Sequence, residues 1–189
     1  MTDTASTTWL VLGSSPNAER MLDVAHAAHQ DAVVISTNSA LQWVVPDYYL
    51  LQDPVAIKQW KDIAHEYRET HGTQIVSIRR PDIARSGLDA DILLEMHNGL
   101  ETRYYRDRYV NCFFSGQFTA QFALMNGAEK LLLVGHEGYP RGAREAWTVK
   151  HLPGWWQSCV DVCPDVEFVF YGKLTYEISG ENVRIVNRI

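Results

Sequence analysis

The sequence predicts an α/β fold, Rossmann-like and doubly wound around a mostly parallel sheet, and three observations carry that prediction. Short apolar runs alternate with stretches of helical periodicity along the chain. One run, Leu131 to Val134, is apolar at every position, as a strand covered on both faces must be. Several runs end in Gly, Ser, Asn or Asp, which build the loops at strand carboxyl ends where open α/β sheets hold ligands.

With 189 residues, 46% of them hydrophobic, the chain reads as one domain, 1–189, able to bury a core without staples. A net charge of −6 argues against broad nucleic-acid binding through charge alone, yet a local basic pocket for a small anion is compatible with it. The three cysteines, Cys112, Cys159 and Cys163, lack the spacing of a secreted disulfide scaffold and fit a reducing compartment. Cys159 and Cys163 lie a helical turn apart and could join His151 around a metal. A structural zinc wants four ligands in tighter pairs, so buried small hydrophobes are the favoured role. Met1 to Thr8 is polar, without the basic start and apolar core of a signal peptide, and no apolar run approaches a membrane span of about 20 residues. The expectation is a cytoplasmic protein.

Thr8 to Leu12 is the first strand. It breaks into Gly13-Ser14-Ser15-Pro16-Asn17, and a helix follows with Met21, Leu22, Ala25 and Ala28 on one side. Such a turn can present N–H groups and hydroxyls to a phosphate, but it has one glycine and no P-loop lysine, so an ordinary turn serves equally well. His26 and His29, a turn apart on that helix, suit a solvated face. Ala32 to Ser36 is a second strand, ending at Thr37-Asn38-Ser39, where Asn38 brings a donor and an acceptor that suit a base or ribose. Tyr48 to Gln52 is a third. Asp53 then caps a helix with Pro54 at its first position and Ile57, Trp60, Ala64 and Tyr67 as its apolar stripe. Capping alone explains Asp53, and a ligand contact is an additional claim.

Thr73 to Ile78 is the fourth strand, closed by Arg79-Arg80-Pro81. Residues 81–111 are irregular and read as an insertion or flap near the site. Arginines and tyrosines interleave from Glu101 to Tyr109, as a stacking surface for bases would have them, but two acids dilute the charge and a solvated strand or hairpin is the commoner meaning. Ser115 is placed as the N-cap of a helix carrying Phe118, Phe122 and Met125, which Asn126-Gly127 ends. The central strand follows and opens into Gly135-His136-Glu137-Gly138-Tyr139. Beyond it stand Arg141, Arg144, Trp147, Lys150 and His151, then a helix over 155–163 and strands over 166–171 and 183–186.

Taken in order, these loops and Ser115-Gly116 resemble the bacterial lipooligosaccharide sialyltransferases and the related Rossmann-like family that includes the archaeal hydroxymethylpterin diphosphokinases. In the sialyltransferases a glycine-rich loop, an Asn, an Asn-Pro and a Ser-Gly hold a cytidine nucleotide sugar. The resemblance implies nucleotide binding by Gly13, Ser14, Ser15, Asn17, Asn38, Asp53, Ser115 and Gly116. It also implies a phosphate-stabilising Tyr139 and a basic His151 just before a helix. Histidine titrates near neutrality and suits the base, and Arg141 and Arg144 suit the charge on a departing nucleotide.

The expected function is thus a glycosyltransferase using a nucleotide-sugar donor and a small or glycan acceptor, with no cofactor required. The sequence departs from the family pattern: Gly-x-Gly-Pro-Ser reads Gly13-Ser-Ser-Pro-Asn17, Gly-x-Asp reads Gly135-His-Glu137, Asn-Pro reads Asp53-Pro54, and Glu145 replaces a second tyrosine. Two alternatives follow. Asp53 and Glu137 could hold Mg2+ in a pyrophosphokinase of a small heterocycle, or the chain could bind a nucleotide without turnover. His136 is a second candidate for the base, and self-association is left open.

Overall fold

The computed structural model describes residues 7–15, 17–96, 104, 106, 107, 109, 114–138 and 146–187, the side chains of residues 28 and 146–149 excepted. Eight strands form one sheet: β1 (Thr8–Leu12), β2 (Val33–Thr37), β3 (Tyr48–Leu50), β4 (Gln74–Ile78), β5 (Ile92–Leu94), β6 (Lys130–Val134), β7 (Glu167–Tyr171) and β8 (Val183–Val186). Their order is β5-β4-β3-β2-β1-β6-β7-β8, and every pairing is parallel. The expected doubly wound sheet is present, and it is wholly rather than mostly parallel.

Burial explains the composition of the central strands. β1 is hydrogen-bonded on both sides, to β2 and to β6, and Trp9 to Leu12 are all buried. Its two faces feed two cores. Leu10 and Leu12, with Leu132 and Val134 of β6, meet Ala18, Met21, Leu22 and Ala25 of α1 (Ala18–Ala28). Trp9 and Val11, with Leu131 and Leu133, belong to the larger core, to which α4 (Ser115–Met125) brings Phe118 and Phe122, and α5 (Ala146–Val162) brings Trp155, Trp156 and Cys159. Phe122 meets both Trp9, at 6.1 Å, and Tyr48, at 5.1 Å between ring centroids.

The remaining helices follow their local signals. α2 (Pro54–His71) starts where Asp53 Oδ1 accepts hydrogen bonds from the N–H of Val55 at 2.7 Å and of Ala56 at 3.4 Å, with Pro54 at the first position. Ile57 and Ala64 are its fully buried residues, with Trp60 and Tyr67 packed alongside. A short 3-10 helix, Asn38–Gln42, follows β2, and α3 (Pro81–Ala84) precedes β5.

Three local expectations change. Phe114, not Ser115, is the N-cap of α4, so Ser115 is its first helical residue, and the apolar Phe114 side chain offers no capping hydrogen bond. The helix expected over 155–163 begins earlier, at Ala146, and carries Pro153 in its interior. The segment read as a flap contributes α3 and the edge strand β5, which extends the sheet beyond β4.

The topology locates the site. From β1 the chain winds outward through β2, β3, β4 and β5, then returns through α4 to β6 on the other flank of β1. The loops after β1 and β6 therefore diverge at the sheet's switch point, where a crevice opens beyond the strand ends.

Candidate functional site

Two glycines hold that crevice together. The Gly13 N–H donates to Val134 O at 2.8 Å, and the backbones of Gly13 and Gly135 pass so closely that a Cβ on Gly13 would stand 2.5 Å from Gly135 O. Gly135 has φ +82° and a Cβ there would stand 2.6 Å from Gly13 O. Neither position has room for a side chain.

Above this crossing lies a cleft of about 210 Å³, lined by Gly13, Ser14 and Ser15 after β1, by Thr37 and Asn38 after β2, and by Gly135, His136 and Gly138 after β6. Helix α4 closes one wall with Ser115, Gly116 and Gln117 behind Phe114, and α5 contributes Leu152 and Trp156. Loops from three strands and the start of a helix meet here. The first N–H groups of an α-helix have no intrahelical partner, so Ser115 and Gly116 present donors and a positive dipole end to the cleft.

His136 is the most constrained of these side chains. It is 8% exposed, its Nε2 lies 3.2 Å from Val11 O, and its ring meets the Trp156 ring edge-on at 5.4 Å. A carbonyl only accepts, so Nε2 carries the hydrogen and Nδ1 the lone pair. Burial, opposed only weakly by the bond to Val11, pushes its pKa down to about 4. The ring is neutral at physiological pH. As a general base it is too weak to suit the second candidacy set out for it, and it serves better as a fixed hydrogen-bonding wall.

Glu137 is turned away from the cleft and buried, at 4% exposure. Its Oε2 accepts a hydrogen bond from Ser15 Oγ at 2.6 Å, tying the β6 loop to the β1 loop. Its Oε1 has no hydrogen-bond partner among the described residues and lies against Gly172 after β7. Behind it, Thr175 donates its N–H and its hydroxyl to Glu137 O, and Tyr176 donates its hydroxyl to His136 O at 2.8 Å. Burial and the Glu137 charge raise the Tyr176 pKa well above its ordinary value. Thr175 and Tyr176 support the site from about 40 positions away, and no local pattern singles them out.

The other candidates divide. Asn38 lines the cleft in the left-handed region at φ 52°, its carbonyl accepting from the Tyr49 hydroxyl at 2.6 Å while its Oδ1 has no partner among the described residues. A non-glycine residue held there costs on the order of 1–3 kcal/mol, a strain that gathers at ligand sites. Asn17, by contrast, is exposed and donates its N–H to Ser15 Oγ, outside the cleft lining. Asp53 is also outside the lining, exposed and committed to capping α2. From the end of β3 it is the buried Gln52 that points inward, donating to Ser115 Oγ at 3.4 Å.

His151 stands inside α5 rather than just before a helix, half-buried and one position from the cleft-lining Leu152. Tyr139, Arg141 and Arg144 lie outside the described residues, as do Glu145 and Cys112, although Tyr139 directly follows the cleft-lining Gly138. Cys159 and Cys163 are buried in the apolar core and are not joined in a disulfide. Among the described residues no three His, Cys, Asp or Glu side chains form a group that could hold a metal ion, and no helix is long and apolar enough to cross a membrane. Comparison with protein-family models, with curated proteins and with solved structures returns no match.

Proposed function

We propose that the cleft binds the phosphate and ribose of a nucleotide or nucleotide sugar, and that the protein is a glycosyltransferase drawing on a nucleotide-sugar donor. The observation that carries the proposal is the start of α4 opening into the cleft at the switch point of a fully parallel sheet. Around that anchor the β1 loop adds backbone donors, and Asn38 adds an amide for the ribose or base.

In the transfer step a base takes the proton of the acceptor hydroxyl as its oxygen bonds to the sugar, while the bond from the sugar to the nucleotide phosphate breaks. His151 is proposed as that base on the strength of the resemblance: it lies on α5 one position before the cleft-lining Leu152, while His136 is kept neutral and weakly basic. Tyr139, by the resemblance, and Arg141 and Arg144, by their charge, are proposed to stabilise the departing phosphate. A magnesium-dependent pyrophosphokinase draws less support, since the Asp53 carboxylate caps α2 and that of Glu137 is bound to Ser15.

A thermal-shift series with nucleotides and nucleotide sugars, each with and without magnesium, tests the proposal, because a ligand that binds only the folded chain raises its melting temperature. A metal-independent shift with a nucleotide or nucleotide sugar is expected. Shifts confined to ATP with magnesium, or none at all, would overturn it. His151→Ala should then abolish transfer while retaining the shift.

A further inference from the structure

The orientation of His136 says more about the ligand than the general reading of the cleft does. Its ring is locked by the Nε2 hydrogen bond to Val11 O and by edge contact with Trp156, so it cannot rotate to offer the other nitrogen. The edge carrying Nδ1 lies beside Gly116, where a Cβ would stand 2.9 Å from Nδ1 and 2.7 Å from Cε1. Nδ1 makes no hydrogen bond among the described residues, and the imidazole lines the cleft. A lone pair without a partner among the described residues is thus placed beside the first turn of α4. The two neighbours ask for opposite things: the helix start wants an acceptor, and Nδ1 wants a donor.

A fully ionised phosphate satisfies only the first. Its oxygens are acceptors and would be repelled by the Nδ1 lone pair, so the group meeting His136 must carry its own hydrogen and lie a few ångströms from the phosphate. We propose that His136 is a specificity-determining residue whose Nδ1 accepts a hydrogen bond from a sugar hydroxyl of the ligand, so that the cleft selects ribosyl phosphates over their deoxy counterparts. The inference rests on the nucleotide-binding reading given above and names the group read within it. Its neutral state across physiological pH keeps the lone pair available.

The test is a calorimetric affinity series on the intact protein: the four ribonucleoside 5′-monophosphates, their 2′-deoxy and 3′-deoxy counterparts, and methyl phosphate. One of the two deoxy sets should bind roughly tenfold more weakly than the ribonucleotides, the scale of a buried acceptor left without its donor. In His136→Phe, which keeps an aromatic ring against Trp156, that preference should disappear while the deoxy compounds bind as before. The folding of this variant is checked by its thermal melt, and the ligand series on the unaltered protein stands whether or not it folds. Equal binding of ribo and deoxy compounds to the unaltered protein would overturn the inference and leave nucleotide binding intact. A ribo preference that survives in His136→Phe would overturn it too and pass the role to Asn38. If instead methyl phosphate binds more weakly as pH rises through about 6, with no ribo preference, Nδ1 is reading a protonated phosphate and the sugar assignment fails. No binding by any nucleotide would overturn the parent reading itself.

Discussion

At Gly116 two well-understood effects have opposite signs. Alanine is the better helix former by about 1 kcal/mol, so Gly116→Ala near the start of α4 would ordinarily raise stability. Here the new methyl would meet the His136 ring at 2.7 Å, and that ring is pinned on its far side by Val11 and Trp156. The expected outcome is a lower melting temperature and weakened nucleotide binding. A stabilised variant with unchanged affinity would show that the imidazole is free to move. The same histidine makes a pH prediction. Its folded pKa, about 4, lies below the unfolded value of 6.5, so between those values the unfolded chain binds the extra proton. Stability should be fully present above about pH 6.5 and should fall by about 3 kcal/mol as pH drops toward 4, with His29, also lowered by burial, adding to the slope. Urea unfolding at pH 7 and pH 4.5 measures this, and His136→Phe should flatten the difference. Ser15→Ala would leave the Glu137 carboxylate buried without its hydrogen-bond donor, at a cost of about 1–3 kcal/mol, readable in the same titration. Half of the cleft lining was legible from residue type: Gly13, Ser14, Ser15, Asn38, Ser115, Gly116 and His136 all line it. The Ser15–Glu137 bond and the support from Tyr176 were not, because they join positions 122 and 40 residues apart and leave no local trace.

Helix ends show what local signals can and cannot decide. Asp53-Pro54 is read correctly as a helix start, and the structure gives Asp53 two backbone partners there. Asp53→Ala should therefore cost about 1 kcal/mol of stability and leave nucleotide affinity where it was. A fall in affinity without loss of stability would restore the ligand role that the resemblance implies. At α5 the local signal misleads. Pro153-Gly154 marks the sequence as a boundary, since proline lacks the N–H of the helical ladder and glycine loosens it, yet the helix runs through both. Packing decides instead: Leu152, Trp155, Trp156, Cys159 and Val160 are all buried, and that much apolar surface outweighs one lost backbone bond. Strand β5 was missed for the opposite reason. It is three residues long at the sheet edge, with Leu93 exposed, and a period-2 pattern cannot be read over so short a run.

On the scale of the whole molecule, the central strand is completed by distant partners. β1 pairs with β2 after a single helix, but its other edge waits for β6, whose partner residues stand more than a hundred positions later in the chain. Parallel pairing over such separations carries a large loop-closure cost, so the sheet should form late and cooperatively. A chain ending at residue 112 tests this. It retains five of the eight strands but leaves β1 as a bare edge, and it uncovers Trp9, Val11 and Tyr48 on the face that α4 protects with Phe118 and Phe122. That apolar edge should drive association. The fragment is expected to show no cooperative thermal transition and to aggregate. A chain ending at residue 180 is the contrast, since it loses β8, whose four residues are half-buried or exposed, the hydrogen bonds of Asn182 to the Cys163 and Val166 carbonyls, and the acceptors of the Phe168 and Gly172 N–H groups. It should still melt cooperatively at a lower temperature and keep its affinity for nucleotides, because none of the described residues beyond 180 lines the cleft. Cooperative melting of the 1–112 fragment would mean that the outer half of the sheet folds without the switch point. The cleft would then be a junction between two separable halves rather than the centre of one.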